Sequence, residues 1–591
     1  GCSILALLTD SRSRPSERWK HGKVQKMDKQ VVAWTAMALA AVLSCAPATV
    51  RAEEPAQSGL QETPEQRDAR LAWWREARFG MFIHWGPVSL KGTEIGWSRG
   101  GERRGTGGTG QIPVEVYDNL YKQFDPTKFD ADEWVAIAKA AGMKYLVFTS
   151  RHHDGFSMFA TKQSDYNIMN SPFKRDVVGE LAQACHEGGL RFGLYYSPPD
   201  WHHPDYRTEN HQRFLEYLHG QIRELLTNYG KVDVMWFDGL GGTAKDWDSP
   251  ALFKRIRELQ PEIIINDRAG LPADFGTPEQ RIGGFQNNRP WETCMTICNQ
   301  WAWKPDDQMK PLKQCLQTLI RCAGGDGNLL FNVGPMPTGE IEPRQVDRLK
   351  ELGAWLQQYG ESVYGTRGGP FKPATSYTSS HKGNTVYLHV FDWIGDSLEL
   401  PPLPKKIVSS TVLTGGTVEL RQTGEGITLS VPAADRQEID TLIRLELDGP
   451  AGDIPPVVAA TGSVAAGKDA TASNIFQKMA DYGPDKALDD DRGTRWATDG
   501  GTKQAWLEVD LGKPVELAYA LINEWATRVQ SFELQVKRGD QWETIASGAT
   551  IGDSLQLDFP PVTAQVVRLN ILEATEGPTI EEFQLYPPKK K

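Results

Sequence analysis

The pattern of apolar and polar positions divides the chain into stretches with different grammars. Between residues 64 and 365, short continuous apolar runs alternate with amphipathic segments. The runs are 79–86 (FGMFIHWG), 144–150 (KYLVFTS), 191–197 (RFGLYYS), 232–238 (VDVMWFD), 262–268 (EIIINDR), 291–297 (WETCMTI) and 328–334 (NLLFNVG). Strands covered on both faces by crossover helices lack polar alternation and read this way. The segments between them, such as 130–142 (DADEWVAIAKAAG) and 177–189 (VVGELAQACHEGG), have helical spacing and end at glycine. The span and the repeat predict an α/β fold, a (β/α)8-like TIM barrel over 53–365, in preference to an open sheet. From 366 to 448 the apolar positions alternate and turn residues intervene, which predicts a small antiparallel β domain. Residues 449–471 are rich in Gly, Pro and Ala and read as a linker. A second β-rich unit fills 472–591.

Polar residues gather just past the strand ends: His84, His152, His153, Asp154, Tyr195, Tyr196, Asp238, Asn266, Asp267, Arg268 and Asn332. In a barrel these positions share the C-terminal face, where active sites are built. Asp238 stands between the run VDVMWF and the glycines GLGG, where a turn residue and a catalytic carboxylate are equally acceptable readings. Two carboxylates flanking a sugar can cleave a glycosidic bond. Asp238 is the first candidate; Asp267, Asp274, Glu279 and Glu292 are further ones.

Composition narrows the partners. A formal net charge of −11 argues against a nucleic-acid binder, which needs a basic face. The 19 tryptophans suit a protein that packs aromatic faces on sugar rings as well as in its core. The apolar run Val31–Leu43 is shorter than the ~20 residues of a membrane span and reads as a signal peptide cleaved after Ala52. Cys45 offers a lipoprotein processing site instead. Residues 1–26 read as upstream sequence, so 1–52 are set apart from the fold, and a secreted or periplasmic location is expected. The remaining cysteines, Cys185, Cys294, Cys298, Cys315 and Cys322, are too sparse for a disulfide scaffold or a zinc site. They read as buried apolar residues with at most one disulfide.

Eight segments in order resemble glycoside hydrolase family 29, the retaining α-L-fucosidases: RFGMFIHWGPVS, SRHHDGFSMF, KRDVVGELAQACHEGGLRFGLYYSPPDW, WFDG, NDR, DFGTPEQ, WETCMTI and GNLLFNVGP. The resemblance covers about 64–365 and, less sharply, the β domain to 448. It implies that Asp238 is the nucleophile and Glu279 the general acid/base, with Glu292 of PWETC as the alternative. It implies that His84, His152, His153, Tyr195, Trp236 and Arg268 hold the fucose, that Trp301 packs on its C6 methyl, that Trp97 contributes from GTEIGWSRG, and that Glu292, if not the acid, binds substrate. The early segment and TPEQ are similar to the subgroup that prefers α-1,3/1,4-fucosylated branched glycans. The implied partner is a fucosylated oligosaccharide or glycoconjugate, with no nucleic acid, no transmembrane span and no cofactor for catalysis. A non-catalytic carbohydrate-binding protein, and a glycosidase for another deoxy or galacto sugar, are the competing readings.

The C-terminal unit resembles F5/8 type C (discoidin-like, carbohydrate-binding module family 32) domains through KALDDDRGTRWAT, WLEVDLGKPVEL, VVRLNI and PTIEEFQLY. That resemblance implies a β-sandwich jelly roll. It also implies a structural Ca²⁺ for which Asp489, Asp491, Thr494 and Glu582 are the oxygen donors.

Overall fold

The computed structural model describes residues 62–393, 395–458 and 462–588; the proposed leader, with Cys45 and Ala52, lies outside them. Seven parallel strands build the N-terminal part: β1 Phe79–Ile83, β2 Tyr145–Arg151, β3 Arg191–Tyr196, β4 Val234–Phe237, β5 Ile264–Ile265, β6 Glu292–Thr296 and β7 Asn328–Val333. Their order in space is β5-β4-β3-β2-β1-β7-β6. Nearly every residue of these strands is buried, as expected of strands enclosed on both faces. Each of the seven runs read from the sequence overlaps one of them, and six contain it whole; β2 runs one residue further, to Arg151.

Helix α1 (Pro64–Ala77) precedes β1. The connections are carried by α2 (Ala131–Ala140), α3 (Val177–Gly188), α4 (His211–Asn228), α5 (Ser249–Leu259) and α6 (Leu312–Gly324), and α7 (Pro343–Tyr359) follows β7. Local signals set their ends. Asp130 accepts from the Glu133 N–H at 3.1 Å and Asp176 from Gly179 at 3.0 Å, each capping a free helix donor. Gly189 closes α3 in the left-handed region at φ 69°.

The position between β5 and β6 is filled by an irregular segment. Isolated parallel bridges join Asn266 to Phe275, Gly276 to Trp291 and Glu279 to Cys294. Pro278 has no N–H to donate, which prevents a regular ladder here. Its carbonyl still accepts from Cys294 at 3.0 Å, and Gln280 N–H returns a bond to Cys294 O at 2.9 Å. The barrel wall is therefore completed by the stretch DFGTPEQ, which carries Glu279 to the C-terminal face.

Beyond the barrel, a five-stranded antiparallel sheet faces a three-stranded one around a core that includes Phe371, Leu388, Leu429 and Leu445. Residues 449–471, read as a linker, are partly built in: Ala451 and Ile454 are buried in that core, Val457 bridges Phe371, and Asp469–Ala472 pairs with Ala505–Glu524. The C-terminal sandwich is organised by two long strands, Ala505–Glu524 and Leu555–Ala574. Ala505, Leu507, Val509 and Leu511 point into its core, while Trp506, Glu508 and Asp510 point outward, the period of a half-buried strand. Among the described residues no helix is long and apolar enough to cross a membrane. The five cysteines are buried and free, so the one disulfide allowed by the sequence does not form.

Candidate active site

The C-terminal strand ends open into a cavity of about 450 Å³. Asp238 follows β4 directly. Its Oδ2 accepts from Tyr195 Oη at 3.0 Å and lies 3.5 Å from His153 Nε2, while Arg268 Nη1 reaches Oδ1 at 3.3 Å. Gly239 is required next to it, because a Cβ there would stand 2.2 Å from the Arg268 carbonyl oxygen. Burial alone would raise the Asp238 pKa; His153, Arg268 and the Tyr195 hydroxyl outweigh it and hold the carboxyl well below its usual range. This environment favours the anionic form, the one a carboxylate nucleophile needs.

Arg268 connects Asp238 to the irregular wall segment. Its Nε donates to Thr277 Oγ1 at 2.7 Å and Nη2 to Thr277 O at 2.8 Å, and the guanidinium lies 4.8 Å over the Trp236 ring. Its Nη1 also donates to Glu279 Oε2 at 2.8 Å. One nitrogen within 3.3 Å of Asp238 Oδ1 and 2.8 Å of Glu279 Oε2 places the two carboxylates no more than about 6 Å apart. The Glu279 side chain is 43% exposed, open to the mouth of the cavity.

The histidines are fixed by their far nitrogens. Asn332 Nδ2 donates to Trp301 O at 2.7 Å, and its Oδ1 lies 2.6 Å from His84 Nδ1. The amide oxygen accepts, so Nδ1 carries the proton. Burial pushes the His84 pKa down to about 3, against the pull of Asn332 and Asp238. His84 is thus neutral, with Nε2 left as an acceptor. Ser197 Oγ donates to Pro199 O at 2.7 Å and so accepts from His153 Nδ1 at 2.6 Å, which leaves Nε2 toward Asp238. His152 is also held neutral, by burial and by its neighbours His153 and His84. Its ring comes so close to Gly96 that a Cβ there would lie 2.7 Å from Nδ1, and Gly96 adopts φ +65°.

His84, Trp97, His152, Tyr195, Trp236, Asp238, Arg268, Glu279 and Trp301 line the cavity, with His153 against Asp238. Trp97 is 36% exposed at the rim, edge-on to Trp201. Trp301 is tilted 4.8 Å from His84, a flat apolar wall beside a hydrogen-bonding ring. Glu292 is the correction. It is fully buried and does not line the cavity; Trp236 Nε1 and Trp74 Nε1 each donate to it at 3.2 Å, and Tyr145 Oη donates as well. Its place at the first residue of β6, in the barrel interior, gives it no access to a sugar, either as acid or as ligand.

Sequence reasoning missed Glu94, whose carboxylate accepts from the N–H groups of Trp301 at 2.9 Å and Ala302 at 3.0 Å and so sets the Trp301 wall. It noted Asn332 only as a strand-end polar residue, gave Asp267, a lining residue, only as a further carboxylate candidate, and assigned Cys294, also a lining residue, to the core. In the C-terminal sandwich, Thr494 Oγ1 donates to Asp489 at 2.9 Å, Asp491 is held by Lys372 at 2.5 Å, and one oxygen of buried Glu582 has no hydrogen-bond partner. Burial, then Asp489 and Asp490, push the Glu582 pKa up to about 9. Among the described residues no three His, Cys, Asp or Glu side chains are grouped as a metal centre.

A barrel with a small, aromatic-walled cavity and two carboxylates sharing one arginine defines a glycoside hydrolase. Residues 48–361, more than half of the chain, match the family model described as Alpha-L-fucosidase, and residues 469–583 match the F5/8 type C domain. The chain is 30% identical over 402 residues to the plasma alpha-L-fucosidase of Homo sapiens, covering 60% of this chain and 84% of that one. Among solved structures it is similar to alpha-L-fucosidase isoenzyme 1 from Paenibacillus thiaminolyticus, with a TM-score of 0.60 and 35% identity over 65% of this chain and 99% of that one. It is also similar to a family 29 alpha-L-fucosidase from Bacteroides thetaiotaomicron trapped as a covalent intermediate with 2-fluoro-fucosyl fluoride, at TM-score 0.58 and 27% identity over 67% and 98%. The chain belongs to the alpha-L-fucosidase family of glycoside hydrolases, and carries an F5/8 type C domain.

Proposed function

We propose that this enzyme releases terminal α-L-fucose with retention, through a fucosyl-enzyme on Asp238, with Glu279 as acid and then base. The observation that carries this reading is the shared Arg268 nitrogen, which keeps the two carboxylates within about 6 Å, near the 5–5.5 Å of retaining glycosidases and short of the inverting separation. The covalent intermediate trapped in the Bacteroides relative supports it. Ionised Asp238 attacks the anomeric carbon while Glu279 gives its proton to the departing glycosidic oxygen. Water then attacks the same carbon, Glu279 takes its proton, and the bond to Asp238 breaks. His84 Nε2 accepts from a sugar hydroxyl, and the Trp301 face suits a methyl where other hexoses carry a hydroxymethyl group.

The preferred substrates are α-1,3/1,4-fucosylated branched glycans, a reading supported by TPEQ and the segment before Trp97. The enzyme acts outside the cytoplasm, directed by the leader around Val31–Leu43. In the C-terminal module Ca²⁺ would be held by Asp489, Thr494 and Glu582, where the unpartnered Glu582 oxygen asks for a cation; Asp491 is already paired with Lys372. It would supply only charge balance and rigidity.

The test is azide rescue with an aryl α-L-fucoside. Asp238→Gly is expected to form the β-fucosyl azide and Glu279→Gly the α-azide, because azide replaces the nucleophile in one and water in the other. No rescue of the Glu279 variant removes it as the acid/base. Release from a Lewis-type trisaccharide slower than from the aryl fucoside removes the linkage preference.

A further inference from the structure

The wall segment that carries Glu279 changes direction at the next residue. Gly276 bridges Trp291 and Glu279 bridges Cys294, both in parallel, so the chain climbs alongside β6 toward the C-terminal face. After Gln280 it descends along the same strand. The Arg281 carbonyl accepts from Thr293 Oγ1 at 3.0 Å, and the Gly283 N–H donates to that hydroxyl at 3.3 Å. Glu279 thus stands at the top of a reversal. Gln280 makes the reversal in the left-handed region, at φ 53°. Glycine takes this conformation without steric cost, whereas another residue is uncommon there and is held by its surroundings.

The surroundings that hold it are the polar groups of Thr296, which is buried on β6. The Thr296 hydroxyl donates to Cys298 O at 2.5 Å, which leaves Oγ1 to accept from Gln280 Nε2 at 3.2 Å. The Thr296 N–H donates in turn to Gln280 Oε1 at 3.4 Å. The amide therefore clasps both polar groups of one residue. Lys310 fixes that residue from beyond the clasp: its Nζ donates to Thr296 O at 2.6 Å, to Oγ1 at 3.2 Å and to Cys298 O at 2.9 Å. Glu279 itself is held by little. Its side chain is 43% exposed, and its one side-chain partner among the described residues is Arg268, which also serves Asp238. The backbone sets the aim of the Glu279 carboxyl, and the Gln280 clasp sets the backbone.

We infer that Gln280 is a positioning residue for the acid/base step: its left-handed backbone and its clasp on Thr296 fix the reversal that aims Glu279 at the departing oxygen. This rests on the fucosidase reading above, in which Glu279 is the acid/base, and identifies what supports that group. Opening the clasp leaves Asp238 with Tyr195, His153 and Arg268, so nucleophilic attack keeps its geometry while proton delivery loses it. The resulting loss depends on how much help the leaving group needs. A dinitrophenolate departs without a proton, whereas a phenolate or a sugar alkoxide calls for one.

The experiment uses the full chain and two variants, Gln280→Gly and Gln280→Asn. Both residues accept a positive φ, so neither strains the backbone, but glycine has no amide and that of asparagine is one methylene short of Thr296. The reading is kcat/KM, which reports the steps up to the fucosyl-enzyme, for dinitrophenyl, nitrophenyl and phenyl α-L-fucosides and a Lewis-type trisaccharide. Each variant is expected to lose less than about twofold on the dinitrophenyl fucoside and about tenfold on the phenyl fucoside and the trisaccharide, a part of the ~10²–10⁴-fold that a positioned general acid supplies. A general structural defect would lower every substrate by the same factor. Losses that are equal across the series, absent, or smaller for the poorer leaving groups overturn the inference. Glu279→Gly is measured beside them. A loss that steepens with the leaving group in Glu279→Gly but not in the Gln280 variants strikes only the role of Gln280. A flat series for Glu279→Gly strikes the acid/base reading, and the inference with it.

Discussion

Glu292 gives the sharpest test of how this site is held. Its carboxyl lies in the barrel interior, fully buried, with two indole N–H groups and one phenol as partners and no cation. Burial raises its pKa from 4.5 to about 7, despite the bonds from Tyr145, Trp74 and Trp236. The folded protein then keeps a proton that the unfolded chain releases near pH 4.5. Between those values the native state binds more protons, so stability falls as pH rises, by about 1.4 kcal/mol per pH unit and about 3 kcal/mol in all by pH 7. Glu292→Gln removes this slope, because the amide does not titrate. The amide also turns an NH₂ toward one of the donors, which costs about 1 kcal/mol. The variant should therefore be about as stable as wild type at pH 5 and about 2 kcal/mol more stable at pH 8. Urea unfolding followed by barrel tryptophan fluorescence at pH 5, 6, 7 and 8 reads this difference, and the wild-type minus variant curve cancels every other titrating group. Parallel curves across that range would refute the reasoning. The same variant should lower kcat, since Glu292 holds Trp236, on which Arg268 lies.

The remaining predictions follow the geometry around the sugar. Trp301→Ala should narrow the preference for an aryl α-L-fucoside over the matching α-L-galactoside by about ten- to a hundredfold in kcat/KM, because an apolar wall discriminates a methyl by about 1–3 kcal/mol. Asn332→Asp should raise the His84 pKa from about 3, and the acid limb of the kcat/KM profile should move to higher pH as Nε2 gains a proton; an unchanged limb would show that Nε2 is not the acceptor. Chelation by EDTA should lower the melting transition of the C-terminal module, added Ca²⁺ should restore it, and Glu582→Gln should be insensitive to both.

The barrel was legible because burial on both faces leaves a mark that needs no partner to be read. Continuous apolar runs such as YLVFTSR and RFGLYY gave strands, and the residues just beyond them, His152, His153 and Asp238, came to one face by topology alone. The irregular wall was not legible in the same way: Phe275 to Glu279 forms isolated bridges on both sides, and a stretch containing Gly276 and Pro278 carries no strand period. That is also why Glu279 and Glu292 could not be separated from sequence. Both are acids near a strand, and what distinguishes them is the pleat of β6, which turns Glu292 inward onto Trp74, Trp236 and Tyr145, while the break at Pro278 turns Glu279 out to Arg268. The positioning groups are hidden for a different reason. Glu94 acts on Trp301 across 207 residues and Asn332 on His84 across 248, so the partner of neither can be read from its own segment. Such contacts exist only once the strands are in register. It follows that a chain can retain every strand-end residue named here and still lose the sugar site through a change at Glu94, which leaves Asp238 and Glu279 untouched but frees the Trp301 loop. Glu94→Ala should therefore raise KM for an aryl α-L-fucoside at least tenfold while azide rescue of the catalytic carboxylates stays intact, whereas a change at Asp238 abolishes kcat with the loop in place.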